Sequence, residues 1–306
     1  MSSPSKPVVP DLSGQNLGNV TLLQKIGEGS MGVVYRGFQP SLARPVAIKV
    51  VFRNKFNQLF TPERFRQEAE VVANLYHSGI VTIFEFGEQA DYLYFVMQLI
   101  DGITMSHWLK LKKKHPIVKR RTPAFSELIP ISEQVLEILA FAHEQGVVHR
   151  DIKPENIMLK EKNLKVIMAD FGLAAVHYAS GEDEKHFILG SPLYVSPEQA
   201  RGEQVDGRAD LFSYGCVLLE ATLGFMPVKV ERPEKIFQTR ARGGADIFTG
   251  TIQEHHPSLP KAWNDFVNLA LSPSRNNRFK DAGTMLQALR AISPELLAWE
   301  KGHTQG

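Results

Sequence analysis

The stretch "KIGEGSMGVVYRG", residues 25–37, spaces three glycines, Gly27, Gly29 and Gly32, as G-x-G-x-x-G. Backbone without Cβ atoms can approach a phosphate closely, and this spacing serves phosphate binding on more than one fold. The residues after the glycines separate the possibilities. A dinucleotide-binding βαβ unit turns straight into a helix whose N-terminus meets the pyrophosphate. Here Val33, Val34 and Tyr35 continue into Arg36 and Gly37, a β-rich run ended by glycine. Thr21, Leu22, Leu23 and Ile26 before the loop also read as strand. The glycines therefore sit in the turn of a hairpin, the wrong context for a dinucleotide. A plain hairpin turn would account for them as well, so this stretch alone does not decide what the loop holds.

Outward from the loop, residues of about 20–100 are mostly strand-like: "VTLLQKIG", "MGVVYRGF", "RPVAIKVVF", "IVTIFEFGE" and "LYFVMQLI". One helical pattern interrupts them, "TPERFRQEAEVVANLYH", which opens with a Thr cap, a Pro at the first position and Glu63 in the first turn. From about residue 102 helical patterns dominate, including "SELIPISEQVLEILAFAHEQG" and "LFSYGCVLLEATLG". A small β-rich lobe thus precedes a larger α-rich one, with no internal repeat.

Composition sets bounds on this picture. Length, at 306 residues, fits one large or two moderate domains, and 43% hydrophobic residues supply a core. Lys plus Arg exceed Asp plus Glu by two, so no global charge draws the chain to nucleic acid or membrane. The single cysteine, Cys216, lies in an apolar helical run, reads as a buried thiol and excludes intrachain disulfides. "MSSPSKPVVPDLSGQN" has no apolar core of a secretory signal, and no run reaches about 18 apolar residues. The expected location is cytoplasmic. Residues 110–121, "KLKKKHPIVKRR", are basic with no acid among them, and read either as a solvated helix end and loop or as an anionic docking site.

Chemistry concentrates in "GVVHRDIKPENIMLK", where Lys153 and Asn156 follow Asp151 by two and five residues, and in "VIMADFGLA", which carries Asp170. Phosphoryl transfer needs charge and position more than covalent steps: a carboxylate to take the proton of the attacking hydroxyl, oxygen ligands for Mg²⁺, and a cation for the moving phosphoryl group. Asp151 suits the first task, Asn156 and Asp170 the second, Lys153 the third. Singly, each has a dull alternative as a surface charge, turn former or cap; jointly they are much harder to dismiss.

Taken together, "HRDIKPEN" and "DFG" downstream of the glycine loop and "VAIK" resemble the protein-kinase signature set, in order and in distance. The resemblance runs from about 20 to 290 and is most similar to the eukaryotic-like Ser/Thr kinases of bacteria, notably in "IGEGSMGVVYRG", "FRQEAEVVANLYHSGIVTIFEFGE" and "SPEQARG". It implies an α+β, two-lobed kinase fold: a flexible tail over 1–19, an N-lobe over 20–100, a C-lobe over 101–291 and a C-terminal tail over 292–306. It also implies ATP with Mg²⁺, or Mn²⁺ in its place, transfer to Ser or Thr of protein substrates including the chain itself, and back-to-back dimers through the small lobe.

Carried over residue by residue, the resemblance places Gly27, Gly29 and Gly32 over the ATP phosphates, and Lys49 of "VAIK" on the α and β phosphates with Glu68 as its ion-pair partner. The bland alternative is a surface pair worth only about 0–1 kcal/mol. Ile26, Val34, Ala47 and Met158 would enclose the adenine, with Met97 as gatekeeper, the Gln98 carbonyl and the Ile100 amide at the hinge. As plain core residues they need no ligand. Glu198 of "SPE", where the family writes A-P-E, would pair with Arg278, and Asp210 would tie the catalytic loop to the central helix. Lys153 and Ser191 resemble the Ser/Thr-specific arrangement, so tyrosine phosphorylation is the less expected activity.

Arg150 before the catalytic Asp often binds an activation-loop phosphate in related kinases. From Asp170 to Glu198 there is no threonine, which puts threonine-based activation out of reach. Phosphorylation of Ser180, charge already supplied by Glu182, Asp183 and Glu184, or a loop with no regulatory role are the readings left. Two rivals to a protein kinase stand beside it: a pseudokinase scaffold without turnover, although no essential position is missing, and a small-molecule phosphotransferase, against which "DFG", "SPE" and Asp210 speak.

Overall fold

The computed structural model describes residues 10–29, 32–52, 61–89, 91–160, 163–171, 192–229, 232–242 and 247–304. They fall into two compact units, one running to Pro62 and including Thr82–Leu99, the other formed by Glu63–Val81 and Ile100 onward.

The first unit is an antiparallel sheet in the order β1-β2-β3-β4-β6-β5, from β1 (Asn16–Leu17), β2 (Val20–Glu28), β3 (Gly32–Gln39), β4 (Arg44–Phe52), β5 (Ile83–Gln89) and β6 (Tyr92–Met97). Period-two alternation gives it one apolar core, in which Leu22, Val33, Tyr35, Val46, Ile48, Val50, Tyr94 and Val96 are buried together. The residues between them, Val34, Ala47, Lys49, Phe95 and Met97, belong to the opposite face. The same core corrects the reading of 1–19 as a flexible tail for its second half. Leu12 and Leu17 are each 1% exposed, Leu12 N–H donates to the Tyr35 hydroxyl at 3.1 Å, and β1 pairs with β2. Polar and proline-rich composition hid two leucines at the right spacing to close the sheet edge.

In the second unit, helix α1 (Pro62–Ala73) leads into a segment held by α3 (Phe125–Glu144) and β9 (Lys165–Met168). His77 stacks on Phe141 at 4.9 Å, and Gly79 lies so near α3 that a Cβ there would meet Ile138 at 2.5 Å. Val81 N–H donates to the Met168 carbonyl and Met168 N–H to that of Gly79. A small antiparallel sheet of β7 (Ile103–Thr104), β8 (Ile157–Lys160) and β9 frames the catalytic-loop sequence. Beyond it come α2 (Met105–Lys113), which precedes α3, then α4 (Pro197–Ala200), α5 (Gly207–Leu223), α6 (Pro233–Ala241), α7 (Ile252–His255), α8 (Lys261–Ala270) and α9 (Ala282–Thr304). Helix α5 is buried almost all round, as a central helix must be. Asp206 caps its start through Arg208 N–H, and Gly224 ends it at φ 76°, where a Cβ would be strained. No described helix is long and apolar enough to cross a membrane.

Candidate active site

The segment His149–Asn156 is fixed from three sides. From α5, the carboxylate of Asp210 accepts from the backbone N–H groups of His149 and Arg150, both at 2.8 Å, and lies 2.8 Å from His143 Nε2. Burial alone would raise the Asp210 pKa, but the His143 hydrogen bond and the facing amides hold it below the usual carboxylate value. From α4, Gln199 donates to the Arg150 carbonyl at 2.8 Å. From the strand-end residue Ala169, the carbonyl lies 2.9 Å from His149 Nε2, while Ala169 N–H donates to the Asn156 carbonyl. His149 Nδ1 accepts from Asp151 N–H, so the proton of this ring sits on Nε2; burial lowers the pKa and keeps the ring neutral.

This scaffold determines what Asp151 faces. Its Oδ2 lies 2.5 Å from Lys153 Nζ and accepts from Asn156 Nδ2 at 3.0 Å, the same amide that donates to the Asp151 carbonyl at 2.8 Å. With its nitrogen committed twice, the Asn156 side chain has its Oδ1 as the remaining ligand atom. Ala169, whose N–H donates to the Asn156 backbone carbonyl, immediately precedes Asp170 in the chain. Arg150 at φ 67° and Asp170 at φ 61° hold the left-handed backbone that non-glycine residues avoid. Such strain persists only where the surroundings over-determine it, as the bonds from Asp210, Gln199 and Ala169 do here.

In the first unit, the glycine loop is closed by Gly29 N–H donating to the Gly32 carbonyl at 2.8 Å. The three glycines differ in what they permit. A Cβ on Gly32 would meet the Val50 carbonyl at 1.9 Å, so strand packing demands that glycine. A Cβ on Gly29 would meet nothing within 4 Å and one on Gly27 only Val34 at 3.8 Å, so these two leave open space over the loop, as a phosphate cradle requires. Lys49 is 6% exposed on β4, in register with Val34 on one side and Phe95 on the other, and Ala47 pairs with Met97. Gln98 N–H donates to the Thr82 carbonyl, and Ile26 is 49% exposed. Ile100 and Met158 belong to the second unit, Met158 on β8 opposite Ile167.

The Mg²⁺ question turns on donor chemistry. Among the described residues no group of three His, Cys, Asp or Glu could hold an ion by itself. Mg²⁺ held through one or two protein oxygens and the phosphates of its substrate needs none, and Asn156 Oδ1 with the Asp170 carboxylate fits that mode.

The flanking residues are equally specific. Arg278 and Glu198 form a bidentate pair at 2.6 and 2.8 Å with side chains 0% and 1% exposed. Tyr194 donates to Glu220 at 2.5 Å, and burial raises the pKa values of both. His143, His149, Gln199 and Glu220 were not singled out by sequence reasoning, because their partners lie 20–67 residues away and no local pattern announces them. The Glu68 side chain, Ser180, Ser191 and the acids Glu182, Asp183 and Glu184 lie outside the described residues. In the basic stretch, Lys112 bonds Glu127 at 2.5 Å, while Lys110, Lys113 and Lys114 at the end of α2 are exposed.

The sequence model of the protein kinase domain matches residues 20–290. The chain belongs to that family. It is 32% identical to the serine/threonine-protein kinase PrkC of Bacillus subtilis over 270 residues, 88% of this chain and 39% of PrkC. It is 34% identical to the serine/threonine-protein kinase pkn2 of Myxococcus xanthus over 93% of this chain and 34% of that protein. The chain therefore spans little more than a third of these kinases. Among solved structures, the PknI kinase domain of Mycobacterium tuberculosis superposes with a TM-score of 0.72 at 25% identity, covering 92% of this chain and 98% of the other. The fold is the two-lobed α+β fold of protein kinases.

Proposed function

We propose that this kinase domain transfers the γ-phosphoryl group of ATP to Ser or Thr hydroxyls of protein substrates, itself among them. The observation that carries the reading is the state of Asp151: one carboxylate oxygen is held by Lys153 and Asn156, on a loop pinned by Asp210, Gln199 and Ala169. ATP with its Mg²⁺ supplies, when bound, the phosphoryl group and neutralisation of its charge. Asp151 orients the acceptor hydroxyl and takes its proton. Lys153, bonded to the same carboxylate, offsets negative charge where the acceptor oxygen meets the phosphoryl group. Asn156 Oδ1 and Asp170 are the metal ligands. Gly27 and Gly29 admit the phosphates, Lys49 contacts them with Glu68 as its partner, and Ile26, Val34, Ala47, Met97, Gln98, Ile100 and Met158 take the adenine. Arg150, with Ser180 or the neighbouring acids, is the regulatory element. A cytoplasmic location supplies ATP and Mg²⁺.

The acceptor class is tested by incubation with γ-labelled ATP and dephosphorylated casein, then phospho-amino-acid mapping. Phosphoserine or phosphothreonine is expected. Phosphotyrosine alone, or label on a sugar or antibiotic with none on protein, would overturn the assignment.

A further inference from the structure

Arg240, on α6, is a buried cation that the phosphoryl-transfer chemistry leaves without a task. It is 1% exposed, with its guanidinium 4.7 Å from the ring centroids of both Phe212 and Phe248. Among the described residues no carboxylate pairs with it. Its polar partners are the Leu193 carbonyl at 3.1 Å and Cys216 Sγ at 3.7 Å, and its Nε has none. The thiol is no counter-ion, since burial pushes Cys216 up to about 11. Arg278 lies over the same Phe212 ring at 4.8 Å, but Glu198 neutralises it. Among the described residues, a net positive charge is therefore enclosed beside the segment from Leu193 to Glu198.

Burying such a charge is costly, and ring faces recover only part of the cost. An apolar side chain of similar volume would pack there without that penalty. What an apolar residue cannot do is hold the Leu193 carbonyl with a charge-assisted hydrogen bond, stronger than a neutral one. Leu193 leads directly to Tyr194, bonded to Glu220, and on to Gln199, bonded to the carbonyl preceding Asp151. We propose that Arg240 is a positioning residue for the protein acceptor: it fixes the Leu193 carbonyl so that residues 192–196 present the acceptor's backbone to Asp151. This rests on the kinase reading above.

The test compares wild type, Arg240→Met and Arg240→Lys with dephosphorylated casein as acceptor, measuring KM for casein, KM for ATP, acceptor-independent ATP hydrolysis and thermal midpoint. Arg240→Met is expected to raise the casein KM about tenfold, the loss of one hydrogen bond to a charged group. ATP KM and acceptor-independent hydrolysis should stay at wild-type values, and Arg240→Lys should recover part of the casein KM. If Arg240→Met does not fold, Arg240→Lys decides, with a casein KM above wild type expected and an unchanged one contradictory. A folded Arg240→Met with unchanged casein KM would overturn the inference alone. Equal losses of transfer and of acceptor-independent hydrolysis would overturn it too, by making the role merely structural. A wild type that transfers to no acceptor would overturn the kinase reading and the inference with it.

Discussion

Replacing Glu198 by Gln removes one charge from an ion pair that is the most enclosed among those of the described residues and leaves its shape almost unchanged. Arg278 directs two bonds to that carboxylate and others to the carbonyls of Ser272, Arg208 and Pro273. After the substitution those carbonyls remain, but a guanidinium with 0% side-chain exposure has no counter-charge. Leaving a buried ion alone costs ~3–5 kcal/mol. Unfolding entropy of ~2.1 cal/mol/K per residue over 306 residues converts that into a midpoint lowered by about 5–8 °C. Near-UV circular dichroism during a thermal ramp, with urea midpoints as a second measure, reads the change. The double variant Glu198→Met with Arg278→Met should lose less than the sum of the single losses, because no charge is stranded. A Glu198→Gln midpoint within about 1 °C of wild type, or strict additivity in the double variant, would show that no buried charge is stranded at Arg278.

The glycines give a sharp contrast: Gly32→Ala should destabilise the domain, since its Cβ would strike the Val50 carbonyl, whereas Gly29→Ala should keep the midpoint and raise KM for ATP. Thermal melts and ATP titrations separate the two. Stability should also depend on pH with a definite sign. His149 has a folded pKa below its unfolded value of 6.5, so the unfolded chain binds the extra proton and stability falls as pH drops below about 6.5. Asp210, likewise depressed below 3.8, adds a second loss below about pH 4 that Asp210→Asn should flatten. Urea midpoints between pH 3 and pH 8, about the range set by these groups, check both. Cys216, buried with its thiol at about 11, should resist a disulfide reagent at neutral pH in the native protein and react fully after denaturation.

The sequence was most legible where one short stretch carries both structure and chemistry. The hairpin around Gly27–Gly32 and the spacing of Asp151, Lys153 and Asn156 could be read because both depend on neighbours within a few residues. Pairing over long distance was legible only through family resemblance, as for Glu198 with Arg278, 80 residues apart. Neither periodicity nor resemblance pointed to Arg240, whose surroundings come from Leu193, Phe212, Cys216 and Phe248 on separate elements. The order in residues 10–17 is hidden in the sequence for a different reason. Two buried leucines and a two-residue strand are too sparse a signal against prolines and polar side chains, although they complete the sheet.

Phosphoryl transfer by this domain is proposed to rest on Asp151, arranged by Lys153, Asn156 and Asp210, moving the acceptor proton. The most direct test of that role is the single-turnover rate of transfer from γ-labelled ATP to casein in wild type and Asp151→Asn, with ATP affinity measured alongside. The expected rate is lower by roughly 10²–10⁴-fold in the variant, with ATP affinity preserved. Equal rates in the two proteins, or no transfer by wild type with ATP bound, would contradict it.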